Sequence, residues 1–229
     1  MSFESVNMPS SCDVLVVGGG VAGVAAAYAA AKQGASVVLL ERYGFLGGLA
    51  SSAYVGTICG AYISIDGRPK RIVGHFPSYF VQSIEERSGA QPISLQNGLI
   101  FIPATPVDIS SLASEVLDGV GVRVLTHTTV YGVEREDNTI AGVKCLAYSL
   151  PITIKSKVVV DTSGESLISS LGGLKTIPVE SSQAASFSIC IRGIRFNGQE
   201  NDLSREVAFE TMRFSKHIRA SVSPGSLDL

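Results

Sequence analysis

Gly18, Gly20 and Gly23 stand in the spacing G-x-G-x-x-G, directly after an apolar run (Asp13 to Val17, D-V-L-V-V) and directly before an alanine-rich run, Val21 to Lys32. Each glycine does something a larger residue cannot. Gly18 permits a tight turn out of a strand, Gly20 lets a pyrophosphate approach the backbone, and Gly23 lets a helix lie close on a sheet. Val21 and Ala22 open that helix, and its free N–H groups and positive dipole end suit a phosphate. Glu41 follows 18 residues after Gly23, at the end of a second apolar run, where its carboxylate can meet the hydroxyls of a ribose. The spacing alone is weak evidence in a chain with 24 glycines. It gains weight because strand, glycines, helix and acid come in the required order. The chemistry this points to is the binding of a dinucleotide.

The elements that must hold these residues are legible around them. Asp13 to Val17 predicts a strand buried on both faces. Val21 to Lys32 predicts a helix, rich in the best helix former and stopped at Gly34. Ser36 to Leu40 (S-V-V-L-L) predicts a second strand, so the opening residues read as a strand–helix–strand crossover joining a parallel pair. Ala27 and Ala31 continue the small-residue face that close helix–strand packing needs.

The crossover alone fits NAD or FAD. Glu41 disfavours a 2′-phosphate, which argues against NADP. The following residues, Glu41-Arg42-Tyr43-Gly44-Phe45-Leu46-Gly47-Gly48, place a paired glycine six residues after the acid, where an NAD domain would enter another helix. This stretch resembles the FAD-dependent oxidoreductases with a glutathione-reductase-type or fumarate-reductase-type flavin domain. The resemblance implies that FAD is the cofactor and that Glu41 binds the adenosine ribose. It also implies that Arg42 flanks the adenine and that Gly47 and Gly48 pass near the pyrophosphate and flavin. Val122 to Thr126 reads as another parallel strand. Val130, shortly after it, matches the family position whose backbone meets the adenine. Val158 to Asp161 reads as a buried strand, and Asp161-Thr162-Ser163-Gly164-Glu165 resembles the family's D-A-T-G-D turn, with Thr162 in place of alanine and Ser163 in place of threonine. Ser163 and Gly164 are thereby candidate cofactor contacts. An ordinary strand-to-helix turn is the plainer alternative for that segment.

Elsewhere the pattern predicts helices over Pro77 to Arg87 and Ile109 to Leu117, the second with Asp108 as N-cap. Gln96-Asn97-Gly98 suggests a hairpin turn. Thr128 to Val133, Ile140 to Ala147 and Ile152 to Ser156 read as three short strands of an antiparallel meander, turning at Asp137-Asn138 and at Ser149 to Pro151. The expected fold is therefore α/β: a Rossmann-like parallel sheet built on the βαβ dinucleotide-binding unit, with an antiparallel β-meander. The family closes its flavin domain with a late glycine-rich strand bearing a Gly-Asp pair. Nothing after residue 175 matches it, so the resemblance implies a domain incomplete at its C-terminal end. Residues 1–180 read as the FAD-binding domain, and residues 181–229 as the start of a substrate or cap region, or a tail. Within the latter, Phe187 to Ile194 reads as a strand.

Composition narrows the classes further. Of 229 residues, 45% are hydrophobic and 17% charged, with a net charge of −2, which excludes a disordered chain and argues against nucleic acid. Val14 to Ala31 runs 18 residues without a charge, but four glycines and many alanines give weak insertion energy, so no membrane span is expected. The residues up to Cys12 lack the positive start of a secretory signal. The four cysteines include no C-x-x-C pair and read as reduced thiols, hence a cytoplasmic protein.

No catalytic residue is identifiable. His75, before a helix, could serve a flavin as a proton carrier, but a loop histidine suffices. Cys59 is expected to be a small buried residue, His127 structural, and His217 exposed on a charged helix. No metal-ligand spacing occurs. The leading reading is thus a flavin oxidoreductase, or its FAD-binding portion, transferring hydride to or from a small organic substrate. Two alternatives stay open. One is an NAD-dependent dehydrogenase. The other is a truncated, non-catalytic chain or a subunit whose missing C-terminal half is supplied by a partner or an oligomer.

Overall fold

The computed structural model describes residues 8–95 and 98–177. β1 (Ser11–Val17), α1 (Val21–Lys32) and β2 (Val37–Leu40) form the expected crossover. The two strands are parallel, with Val14–Val17 beside Val37–Leu40. β1 carries branched apolar side chains on both faces: Leu15 and Val17 enter one core and Val16 the other, and all three are buried. A single turn, α2 (Leu49–Ser52), follows the paired glycines.

The next stretch holds five short strands. β3 (Thr57–Cys59) is followed by a hairpin of β4 (Tyr62–Ile65) and β5 (Arg68–Arg71), and then by α3 (His75–Ser88). The hairpin turns at Asp66-Gly67, both with positive φ (51° and 74°), as a tight two-residue turn demands. Arg71 fastens it to α3, donating to the Tyr62 hydroxyl at 2.9 Å and pairing with Glu85 at 2.5 Å. After α3 come β6 (Ile93–Ser94) and β7 (Ile100–Pro103), which pair antiparallel and join β3 in a three-stranded sheet. Gln96 and Asn97 of the expected hairpin lie outside the described residues.

α4 (Pro106–Asp118) begins two residues before the expected cap. Thr105 is the N-cap, accepting the Asp108 N–H at 3.1 Å and donating its hydroxyl to the Asp108 carboxylate at 2.6 Å. Asp108 is therefore the reciprocal partner inside the first turn, not the cap. Pro106, whose missing N–H costs nothing at the first helical position, marks the true start.

β8 (Arg123–Leu125), β9 (Thr128–Glu136), β10 (Thr139–Ala147), β11 (Leu150–Asp161) and α5 (Leu167–Leu171) complete the described chain. The main sheet runs β8-β2-β1-β11-β10-β9. The strands expected over 152–156 and 158–161 are one continuous strand. The first part of β11 pairs antiparallel with β10, and Lys155–Asp161 pairs parallel with β1. Lys155 pairs with both strands, and Ser156 and Lys157, which look like a break in the apolar pattern, follow directly where the strand continues beside β1 alone.

Helices α1, α3 and α4 pack one face of the parallel strands through Val24, Ala27, Ile84, Ile109, Leu112 and Leu117. The meander packs the other face, with Val130, Val143, Cys145 and Ile154 against Leu15, Val17, Val38 and Leu40. Each fully buried leucine or isoleucine contributes about 1.5–3 kcal/mol. At the end of β1 away from the glycines, Asp13 accepts from the Ser36 N–H at 2.8 Å and the Ser36 hydroxyl at 2.6 Å, and it pairs with Lys157 at 2.7 Å. Lys157 first, then Ser36, holds the Asp13 carboxyl well below the usual carboxylate range. Among the described residues no helix is long and apolar enough to cross a membrane.

Candidate FAD-binding site

The carboxyl ends of β1, β2 and β11 converge on the glycine loop, and the Gly18 and Gly19 peptide groups and the Gly20 carbonyl are all hydrogen-bonded. Gly18 N–H donates to Leu40 O at 2.8 Å. Gly19 N–H donates to Glu41 Oε2 at 2.7 Å, and Gly19 O accepts from Gly47 N–H at 2.8 Å. Gly20 O accepts from Val24 N–H at 2.9 Å and so starts α1.

The glycines of the motif serve different masters. Gly18 has φ +107°, and a Cβ there would sit 2.5 Å from Thr162 O. A Cβ on Gly23 would lie 1.9 Å from Gly18 O, so the close helix–strand approach expected from its spacing is realised against the turn itself. Gly20 is unlike both. Its φ of −67° suits any residue. A Cβ there would meet only Gly48 Cα, at an ordinary 3.8 Å. Nothing within the described chain requires glycine at position 20. Its side-chain-free backbone leaves room for a ligand to lie against it.

Gly20 opens toward the paired glycines. Gly20 and Gly47 form a parallel bridge. Gly47 has φ +108°, and its missing Cβ leaves room for the buried Ser51, whose hydroxyl would otherwise be 2.0 Å away. Gly48 adopts φ 55°, ψ −133°, a conformation essentially confined to glycine. No side chain caps α1. The first turn of α1 therefore has no side-chain partner at its positive end, and Val21 and Ala22 are both exposed there.

Glu41 is 5% exposed, yet it does more than wait for a ribose. Oε2 accepts the Gly19 N–H, and Oε1 accepts the Tyr43 N–H at 2.7 Å. Each carboxylate oxygen has a second lone pair, so acceptor capacity remains for a hydroxyl. Arg42 is exposed, lies over the Tyr43 ring at 5.1 Å and pairs with Glu165 at 3.2 Å. An ion pair so exposed is worth about 0.2–1 kcal/mol, little enough for the guanidinium to exchange partners. Tyr43 in turn stacks on Phe45 with rings 5.6 Å apart and 8° from parallel. Val130 directs its side chain into the second core cluster, so what it offers a nucleotide is backbone.

The turn after β11 is occupied with its own structure. Asp161 accepts from the Ser163 hydroxyl at 2.6 Å and from Ile168 N–H at 2.9 Å, and Ser163 Oγ accepts from Leu167 N–H at 3.0 Å. Ser163 is thus a turn and helix-start residue, while Gly164 (φ +85°) is exposed beside it. Thr162, which the sequence reading passed over, donates its hydroxyl to Gly18 O at 2.9 Å. A β-branched hydroxyl residue at the end of a central strand was the available signal.

Of the other candidates, His75 is exposed at the start of α3 and His127 is exposed with its ring against Gly44. Cys59, expected to be buried, is exposed, because β3 is an edge strand paired only with β7. Burial pushes the Cys145 thiol up to about 11. His217, Cys190 and the strand expected over Phe187 to Ile194 lie outside the described residues. Among the described residues no group of His, Cys, Asp and Glu could hold a metal.

A parallel sheet of this order, with a glycine loop at its carboxyl edge, a buried acid on the next strand and a second glycine pair bonded to that loop, defines a dinucleotide-binding flavoprotein domain. The chain belongs to the FAD dependent oxidoreductase family, whose model matches residues 13–221. It is 28% identical over 180 residues to a thiamine thiazole synthase of Methanococcus vannielii, a match covering 74% of this chain and 63% of that protein. It is 27% identical over 209 residues to a digeranylgeranylglycerophospholipid reductase of Methanothrix thermoacetophila, covering 86% of this chain and 51% of that one. The fold is shared with L-proline dehydrogenase from P. horikoshii, at TM-score 0.52 and 19% identity over 74% of this chain and 58% of the other. The chain therefore spans about half to two-thirds of the length of these proteins.

FAD is the family's cofactor, and the residues present fit it. The side-chain-free surface of Gly20, the uncapped start of α1 and the Gly47–Gly48 turn would hold its pyrophosphate, and Glu41, directly after β2, would meet its ribose.

Proposed function

We propose that this chain is the FAD-binding portion of an oxidoreductase that moves a hydride between the flavin and a small organic substrate. The observation that carries this reading is the contact between the two glycine pairs. The Gly47 N–H to Gly19 O bond sets a second glycine turn against the glycine loop, which supports a ligand that runs on past the first phosphate. FAD, when bound, supplies the redox chemistry. The chain's part is to bind the pyrophosphate at Gly20, Val21 and Ala22 and to hold the ribose through Glu41. Arg42, Val130 and the Ser163-Gly164 turn border the adenine end, and Gly47 and Gly48 carry the cofactor on toward its reactive ring.

On this reading residues 181–229 begin the substrate region. The remaining wall of the flavin site comes from a further stretch of polypeptide or from a partner chain, because the relatives are longer. The protein works in the cytoplasm on a small molecule, without nucleic acid or membrane. The test is anaerobic. Reconstituted protein is mixed with reduced nicotinamide and with a panel of small organic hydride donors, and the visible flavin band is followed. Bleaching by a donor and recovery on reoxidation support the proposal. Protein that keeps its flavin but is reduced by none of them supports a non-catalytic flavin-binding chain instead.

A further inference from the structure

Thr162 sits where β11 delivers it under the phosphate loop, and three observations give it a task. Its backbone N–H donates to Val17 O at 2.9 Å, so the ladder between β1 and β11 fixes its position. Its hydroxyl donates to Gly18 O at 2.9 Å and lies 3.0 Å from Val17 O. Finally, Oγ1 fills the space left by the missing side chain of Gly23, where a Cβ would come within 2.7 Å of it. One hydroxyl thus touches the first and third glycines of the motif at once. Val17 O already has the backbone donor, so the side chain's own contribution is to orient the Gly18 carbonyl. That carbonyl lies on the turn that aims Gly19 and Gly20.

We propose that Thr162 is a positioning residue for the cofactor, its hydroxyl presetting the Gly18–Gly20 loop in the conformation that receives the FAD pyrophosphate. It acts through the loop and touches no ligand. With the hydroxyl gone, the Gly18 carbonyl turns to water, the loop samples other conformations, and binding must first restore the receptive one. The proposal rests on FAD occupying this loop.

The experiment uses the full-length chain and the variants T162V, T162A and T162S. Valine keeps the shape and loses the donor, alanine loses both, and serine keeps the donor. In the cofactor-free protein, amide exchange at Gly18 and Gly19, whose N–H groups are hydrogen-bonded, is expected to accelerate about tenfold in T162V and T162A, consistent with one lost hydrogen bond of this kind. Exchange at Val16 and Leu39, in the central strands, stays unchanged. The FAD Kd rises about tenfold in the same two variants and returns to within about threefold of the parent in T162S. A purely structural role would lower the melting temperature of all three variants without separating serine from valine in Kd. Unchanged loop exchange in folded T162V or T162A, or an unchanged Kd despite faster exchange, overturns the proposal. Variants whose loop exchange accelerates as stated, beside a parent chain that takes up no FAD, overturn the flavin reading and the cofactor half of this proposal with it.

Discussion

At the residue scale, the motif divides into glycines that the fold needs and one, Gly20, that only a bound ligand would need. Gly23 cannot accept a methyl, because its Cβ would fall 1.9 Å from Gly18 O. Gly20 can, since its φ is −67° and its Cβ would have a single contact at 3.8 Å. Two substitutions should therefore fail in opposite ways. Gly20→Ala is expected to leave the stability of the cofactor-free protein within about 1 kcal/mol of the parent. It should raise the FAD Kd by at least about tenfold, because the methyl intrudes where the pyrophosphate lies. Gly23→Ala should destabilise the protein by about 1–3 kcal/mol through the forced shift of helix or turn. Denaturant unfolding and FAD titration of both variants check this. A Gly20→Ala protein that binds FAD like the parent would mean that no ligand occupies that surface. Glu41 carries a related lesson. Sequence spacing marks it as a ribose ligand, but the spacing gives no hint that both of its oxygens also brace backbone, one of them at Gly19. Thr162 is the converse case: as a mild departure from the family's alanine it drew no attention, and only the parallel register with β1 brings its hydroxyl under Gly18.

At the scale of elements, two devices hold the frame that aims the loop. Thr105 caps α4, whose residues Ile109, Leu112 and Leu117 build the core under α1. Thr105→Ala should cost about 1 kcal/mol, measured as a lower denaturant midpoint with unchanged slope. The second device is the Asp13 clamp between β1, the Ser36 turn and β11. The folded pKa of Asp13 is depressed by Lys157 and then Ser36. The clamp's contribution is therefore complete above the unfolded value of about 3.9, and it is lost as pH falls below that toward the folded value. Asp13→Asn is expected to flatten the acid limb of the stability curve below about pH 4 while leaving its shape near neutrality. An acid limb identical to the parent's would show the clamp to be idle.

These same elements show what a sequence reveals and what it hides. The crossover was legible because all of its signals are local: apolar runs, alanine content, a glycine stop. The parallel position of Arg123–Leu125 and the order of the meander were legible too. The start of α4 differs from the expected one because Asp108 and Thr105 both suit a cap, and Pro106, at the first helical position, decides for Thr105. The small sheet around β3 and β7 and the hairpin of β4 and β5 were not legible in the apolar pattern, although Asp66-Gly67 is a strong local turn signal. The continuity of β11 was hidden because alternation breaks at Ser156-Lys157, directly after the strand changes partner, and partner exchange is a tertiary event. Cys59 was misjudged for the same kind of reason, since exposure on an edge strand depends on sheet order.

At the scale of the whole molecule, the described residues build a glycine cradle on a sheet covered by helices on one face and a meander on the other. The chain covers 63% and 51% of two relatives that share its family, so the account does not depend on this chain performing a full catalytic cycle alone. It depends on the cradle taking FAD. The most direct measurement is the visible absorption spectrum of the purified full-length chain, recorded before and after addition of FAD and desalting. The account predicts a flavin band that survives desalting in the parent and is lost in Gly20→Ala. A parent protein that remains folded by circular dichroism, yet emerges from desalting colourless, would contradict it.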